Sequence, residues 1–188
     1  MTKISVSAAP QGADNGAHDI GYGYGRSSLG DFLVAIDEEG LCAVLFGDDR
    51  ASLLEDLRSS FPSRKLARCD RSHCCDFIVN AVACLIEQPA GSIAFPTSIG
   101  GGDFKQMVHA ALRHTRPGMT ITPEELAVMI GAASASAPNV RACVAADLLA
   151  VAVPFHRLQE PDGTNPDYRW GEKRRQALLK REAAIWSI

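Results

Sequence analysis

The stretch TPEELAVMIGAASASAPNVRACVAAD, residues 122–147, decides the fold. It opens with the signature of a helix start: Thr122 as N-cap, Pro123 at the first helical position and Glu125 three residues after the cap, completing a capping box. Gly131 can end that helix. After a short Ser/Ala segment, PNVRACVAAD (138–147) reads as a further helix beginning at Pro138. Two short helices joined by a turn of small residues predict a helix-turn-helix. The second helix is unusual for a reader of the major groove, where bulky polar side chains contact bases. Ala142, Ala145 and Ala146 make it smooth, and Arg141 is its only cation. Such a surface either approaches a nucleic-acid backbone closely or packs against protein.

Outward from this pair, the helical pattern continues on both sides. DFKQMVHAALRHT (103–115) places Phe104, Val108, Ala111 and Leu112 on one face. AVAVPFHRLQEPDG (150–163) reads as the end of a buried strand running into a working loop. The closing segment, residues 167–186, predicts a helix with an apolar face at Leu178, Leu179 and Ala183. One side of it is basic, with Arg169, Lys173, Arg174, Arg175, Lys180 and Arg181. That side is either a solvated face or a stripe facing phosphates.

The first half has a different character. DFLVAI (31–36) and LCAVLF (41–46) flank a charged turn with Gly40 and predict a hairpin. Residues 48–61 and 76–88 carry helical spacing, and the Gly-, Pro- and Ser-rich stretch 88–104 marks a boundary. The expected organisation is a tail over 1–18, a small sheet domain with helices over 19–92, and a helical domain over 93–188.

Composition bounds the function classes. The chain has 188 residues, 46% hydrophobic and 22% charged, with a formal net charge of −3. That balance argues against broad, non-specific attraction to nucleic acid while leaving room for a local basic face. No apolar run approaches the ~20 residues that span a bilayer. The start of the chain lacks the apolar core of a signal peptide, so a cytoplasmic protein without membrane contact is expected. The six cysteines are then expected as thiols. CDRSHCC (69–75) matches no standard zinc spacing, and no metal or cofactor is expected.

PFHRLQEPDGTNPDYRWG (154–171) resembles the active-site signature of the O6-alkylguanine-DNA alkyltransferases, in which a Pro-Cys-His-Arg tetrad is followed by a Gly-Tyr loop. The similarity is to members of the Ada C-terminal type and runs over about residues 21–186, through DFKQMVHAALR, EELAVMIG and LLAVAVP. It implies an α/β fold, with an N-terminal ribonuclease-H-like sheet domain and a C-terminal helix-turn-helix domain that enters the minor groove of DNA. Family members flip the damaged base out and transfer its alkyl group to the tetrad cysteine. Phe155 stands at that cysteine, and a phenyl ring has no lone pair with which to attack an alkyl carbon. His156 matches the histidine that takes the thiol proton through a water, Arg157 completes the tetrad, and Glu182 matches the acid that orients the histidine.

The resemblance implies further departures. Pro138 aligns with the intercalating arginine, with Arg141 three residues later as a possible substitute. Pro123 aligns with the tyrosine that rotates the nucleotide, and Asp147 with the asparagine that braces the active-site turn. The carbonyls of Phe155 and Leu158 match those that read guanine, and Tyr168 keeps the aromatic of the following loop. The expected function is a monomeric, non-catalytic, alkyltransferase-like protein that binds double-stranded DNA at O6-alkylguanine and flags it for repair. The alternative is a degenerate pseudoenzyme serving protein interaction or regulation, with a repair or regulatory protein as partner.

Overall fold

The computed structural model describes residues 20–69, 73–98, 102–165 and 168–184, with the side chains of residues 73 and 74 left aside. The expected tail (1–18) and the middle of the 69–75 cysteine segment lie outside the described residues. The first half is a four-stranded sheet in the order β3-β2-β1-β4, from β1 (Ile20–Ser27), β2 (Gly30–Ile36), β3 (Leu41–Gly47) and β4 (Leu66–Arg68). β1, β2 and β3 pair antiparallel in a meander, and β4 joins β1 in parallel. The predicted hairpin is β2 and β3. Two helices, α1 (Arg50–Ser60) and α2 (His73–Glu87), complete this half.

Side-chain alternation on the strands splits the interior between the two faces of the sheet. Leu33, Ala35 and Leu45 pack with Leu53 and Leu57 of α1. Phe32, Val34, Val44 and Phe46 face Ile78, Val82 and Ile86 of α2 and the interior of the second half. The second half contains α3 (Asp103–His114), α4 (Pro123–Met129), α5 (Ala137–Ala145) and α6 (Glu172–Ala184). Val108, Leu112, Leu126, Val140, Val144, Phe155 and Leu178 belong to the same buried cluster as the α2 face of the sheet. One apolar core therefore joins the two halves.

The α4–α5 helix pair forms as its caps dictate. The Thr122 side chain accepts from the Glu125 N–H, and Glu125 reaches back to the Thr122 N–H at 2.8 Å. Gly131 follows α4 with φ +78, a conformation that favours glycine. Thr122→Ala removes the cap and is expected to lower stability by about 1 kcal/mol in denaturant titration.

The strands β1 and β4 and the segment around Phe155 depart from the sequence reading. β1 carries Gly21, Gly23 and Gly25, residues that weaken strand signals. Packing explains them: a Cβ on Gly25 would lie 2.0 Å from the Phe32 ring, and one on Gly23 2.7 Å from the Cys75 sulfur. The segment read as a buried strand is buried but not a strand. It folds as two single 3-10 turns, Ala150–Ala152 and Phe155–Arg157, between isolated bridges at Leu149 and Leu158. The Val44 N–H donates to the Leu148 carbonyl at 2.7 Å, which ties the start of this segment to the edge strand β3. Proline at 154 removes a backbone donor, and short turns satisfy the remaining groups locally.

Candidate functional site

α5 and the two turns that follow it assemble most of the residues singled out in the sequence. Pro138, Asn139, Ala142, Ala145 and Ala146 are exposed on α5, while Ala137, Val140 and Val144 are buried. The outward face of the helix is thus made of small side chains. Arg141, its cation, is held in place. Its Nε and Nη2 donate to both oxygens of Glu160 at 2.5 and 2.7 Å, and Nη2 donates to Glu124 of α4 at 2.9 Å. Pro123 is buried at the start of α4.

Asp147, just past α5, is fully buried and has three partners. Its Oδ2 accepts from His109 Nε2 at 2.6 Å and lies 3.1 Å from Lys105 Nζ, and its Oδ1 accepts from the Leu149 N–H at 2.8 Å. Burial alone would raise this carboxyl, but the His109 hydrogen bond and the charge of Lys105 hold it below the ordinary range. Lys105 and His109 were not singled out in the sequence, although their i, i+4 spacing on α3 puts them on one face.

Phe155 packs against the His109 imidazole. Its side chain is 1% exposed, and its ring packs edge-on against His109 with centroids 5.3 Å apart. His156, the next residue, bonds Glu182 of α6 through Nε2 at 2.8 Å. Burial pushes His156 below its ordinary value, against the pull of Glu182, so the ring is neutral at pH 7. The Glu182 carboxylate only accepts, so Nε2 carries the proton and Nδ1 keeps a lone pair. That Nδ1 is buried and finds no partner among the described residues.

Arg157 locks the same corner. Nε and Nη2 donate to Glu182, with Nη2 at 2.8 Å, and Nη1 donates to the Thr115 carbonyl at 2.6 Å. The Gly118 N–H adds a further bond to Glu182 at 2.7 Å. Burial would raise the Glu182 carboxyl, but its bonds from His156, Arg157 and Gly118 hold it low. The Leu158 carbonyl accepts from Asn165 Nδ2 at 3.0 Å. Tyr168 is buried, with its ring edge-on to Trp170 at 5.4 Å and its hydroxyl unpartnered among the described residues.

The basic side of the closing helix divides. Arg169 pairs with Asp56, Arg174 with Asp48 at 2.6 Å, and Arg181 with the Ile86 carbonyl at 2.6 Å. These three fasten the end of the chain to the sheet half. Arg175 is buried and bonds Glu172 at 2.7 Å, while Lys173 and Lys180 are exposed. Most of the apparent phosphate stripe is structural. Burial and the nearby Asp147 push the Cys143 thiol up to about 11, so it is protonated at neutral pH. Among the described residues, no group of three or more His, Cys, Asp or Glu side chains could hold a metal ion, and no helix is long and apolar enough to cross a membrane.

Comparison with known proteins places this arrangement. Residues 20–65 match the ribonuclease-like domain of 6-O-methylguanine DNA methyltransferase, and residues 103–184 match its DNA-binding domain. The chain is 38% identical over 167 residues to the bifunctional transcriptional activator/DNA repair enzyme Ada of Escherichia coli, covering 87% of this chain and 46% of that protein. It is 31% identical over 101 residues to a methylated-DNA–protein-cysteine methyltransferase of Kluyveromyces lactis, covering 51% of this chain and 53% of that protein. The chain thus spans about half the length of these curated relatives. Among solved structures, a variant of Mycobacterium tuberculosis OGT superposes with a TM-score of 0.66 at 25% identity, over 87% of this chain and 92% of that one. The same organism's OGT in complex with DNA superposes at 0.69 and 22% identity, a likeness of fold, over 87% and 93%. With both of the family's domains matched in order over more than half of its length, the chain belongs to the 6-O-methylguanine DNA methyltransferase family.

Proposed function

We propose that this chain is a non-catalytic, alkyltransferase-like member of its family that binds duplex DNA and recognises O6-alkylguanine for repair without accepting the alkyl group. The observation that carries the reading is the buried phenyl ring of Phe155, adjoining a neutral His156 whose Nδ1 has no partner among the described residues. In the family pattern that histidine serves a cysteine at position 155. Here the base and its orienting carboxylate are kept, and the side chain at 155 offers nothing to deprotonate and no lone pair to alkylate. The protonated Cys143 supports the same conclusion. The smooth outer face of α5 supports close approach to a DNA backbone, and the match of residues 103–184 to the family's DNA-binding domain supports duplex DNA as the partner. An apolar ring at 155 can contribute on the order of 1 kcal/mol for each methyl group it shields from water.

Intact-mass spectrometry after incubation with a duplex carrying O6-methylguanine tests the loss of transfer. The expected result is an unchanged protein mass. A stoichiometric gain of one methyl group would overturn the reading.

A second reading, a pseudoenzyme serving protein interaction, is favoured by the clamp on Arg141. Two carboxylates neutralise the one cation on α5, which weakens the attraction of that face for phosphates. Glu160→Gln removes the bidentate partner. On the DNA-binding reading it is expected to tighten duplex binding and steepen its salt dependence, measured by anisotropy titrations at two salt concentrations. Unchanged, weak binding by both forms would favour the second reading.

A further inference from the structure

Where the segment between α2 and α3 crosses the second half, it encloses a pocket of about 270 Å³ that no residue of α5 lines, nor Phe155, Leu158 or Tyr168. Its apolar walls are Leu85 of α2, Ile93 and Phe95 of the crossing segment, and Val151, Ala152 and Pro154 of the run before Phe155. Leu85, Val151 and Ala152 are buried, and Ile93 and Phe95 pack against the same core. The crossing segment is anchored on both sides of the pocket. The Gly91 N–H donates to the Gln88 carbonyl at 3.0 Å, and the Pro96 carbonyl accepts from the Leu41 N–H of β3 at 2.8 Å. An apolar cavity of about 150 Å³ holds benzene, so this one has room for a ring or a short chain with a polar head.

The charges in the pocket are all of one sign. Among the described residues Arg113 and Arg157 line it, and no carboxylate does. The two guanidiniums differ. Arg157 is buried and already answered by both Glu182 oxygens. Arg113 is paired with no carboxylate among the described residues, and its Nη2 donates to the Thr97 hydroxyl at 3.0 Å. Neighbouring protein strips part of its water and holds it below its ordinary value, against the pull of Asp147. A partly desolvated cation with no counter-charge in contact gains from an anion brought beside it. One such cation matches one carboxylate. A phosphate dianion would need a second, and Arg157 is committed to Glu182.

We propose that this pocket binds a small organic monocarboxylate, with its apolar body against Val151, Ala152 and Pro154 and its carboxylate on Arg113. The proposal rests on neither lesion recognition nor the loss of transfer, and its test uses no DNA.

Titration of the full chain with phenylacetate and hexanoate, followed by amide NMR, tests it, with phenylacetamide, hexanol and inorganic phosphate as controls. Both acids are expected to bind saturably with Kd on the order of 1 mM or below, shifting amides at residues 91–95, 113 and 150–153. The amide, the alcohol and phosphate are expected to bind at least about tenfold more weakly. Arg113→Gln is expected to weaken both acids about tenfold and to leave the two neutral probes unchanged. Ala152→Leu fills the pocket from its wall and is expected to abolish binding of every organic probe. Ala152 is buried, so a melting curve checks that its variant folds, and Arg113→Gln, at an exposed residue, decides the proposal if it does not. Absence of saturable binding by either acid at about ten times the expected Kd, or acids that bind Arg113→Gln as tightly as the wild type, would overturn the proposal. Phosphate or the neutral probes bound as tightly as the acids would overturn the carboxylate assignment.

Discussion

Glu182→Ala is expected to lower the stability of the folded chain by about 3–5 kcal/mol, the cost of leaving a buried charge without its partner. Glu182 is fully buried, and it accepts hydrogen bonds from Arg157, from His156 and from the Gly118 backbone. Removing it leaves the Arg157 guanidinium, itself 4% exposed, without its counter-charge and with only the Thr115 carbonyl and hydroxyl as hydrogen-bond partners. The corresponding fall in melting temperature is on the order of 10 °C for a chain of this size. Replacing both Glu182 and Arg157 by leucine is expected to cost less than the sum of the two single changes, because neither charge is then left alone. If Glu182→Ala melts within a degree or two of the wild type, the network is not holding α6 to the 155–157 turn.

The same network makes the fold sensitive to acid. His156 is depressed in the folded state, so below about pH 6.5 the unfolded chain takes up a proton that the folded chain refuses, and stability falls. Glu182 and Asp147 are also held low, so their contributions are complete above the ordinary carboxylate range and disappear as pH drops through their lower folded values. Both effects have the same sign. Denaturation midpoints are therefore expected to be level near neutrality, to decline below pH 6.5 and to fall more steeply in acid. His156→Gln should remove the first decline while leaving the second.

Phe155→Ala is the other large effect. A fully buried aromatic ring in the common core, truncated to a methyl group, costs about 3–5 kcal/mol through lost burial and the cavity left behind. Phe155→Leu refills much of the volume and should recover at least half of that loss. Guanidinium titration of the two variants separates a ring that packs from one that only fills a vacated position. A loss below about 1 kcal/mol for Phe155→Ala would mean that the site collapses freely around residue 155.

The parts of this molecule that were legible in its sequence are those governed by local rules. The α4 capping box, the glycine after it and the proline-led α5 are set by residues three or four apart, and the sequence predicts all three. β1 was hidden because its glycines serve distant side chains, Phe32 across the hairpin and Cys75 on α2, and no local signal reports those contacts. The turns around Phe155 were hidden because their apolar run is buried as a core loop. Periodicity does not distinguish that from a strand.

The candidate site divides along the same line. His156, Arg157 and Glu182 were named from the motif, and the structure joins them in one network. The clamp on Arg141 depends on Glu124 and Glu160, 17 and 19 residues away, and the burial of Asp147 is made possible by His109, 38 residues away. Such pairings follow from the tertiary fold. They also reverse the meaning of the basic residues on the closing helix, several of which hold the two halves together.

The central claim is recognition of alkylated guanine without transfer. Its most direct test is fluorescence anisotropy with two matched duplexes, one carrying O6-methylguanine and one unmodified, at two salt concentrations. The account predicts at least about tenfold tighter binding to the lesion, about 1.4 kcal/mol, at both salts. Equal affinity for the two duplexes would contradict it.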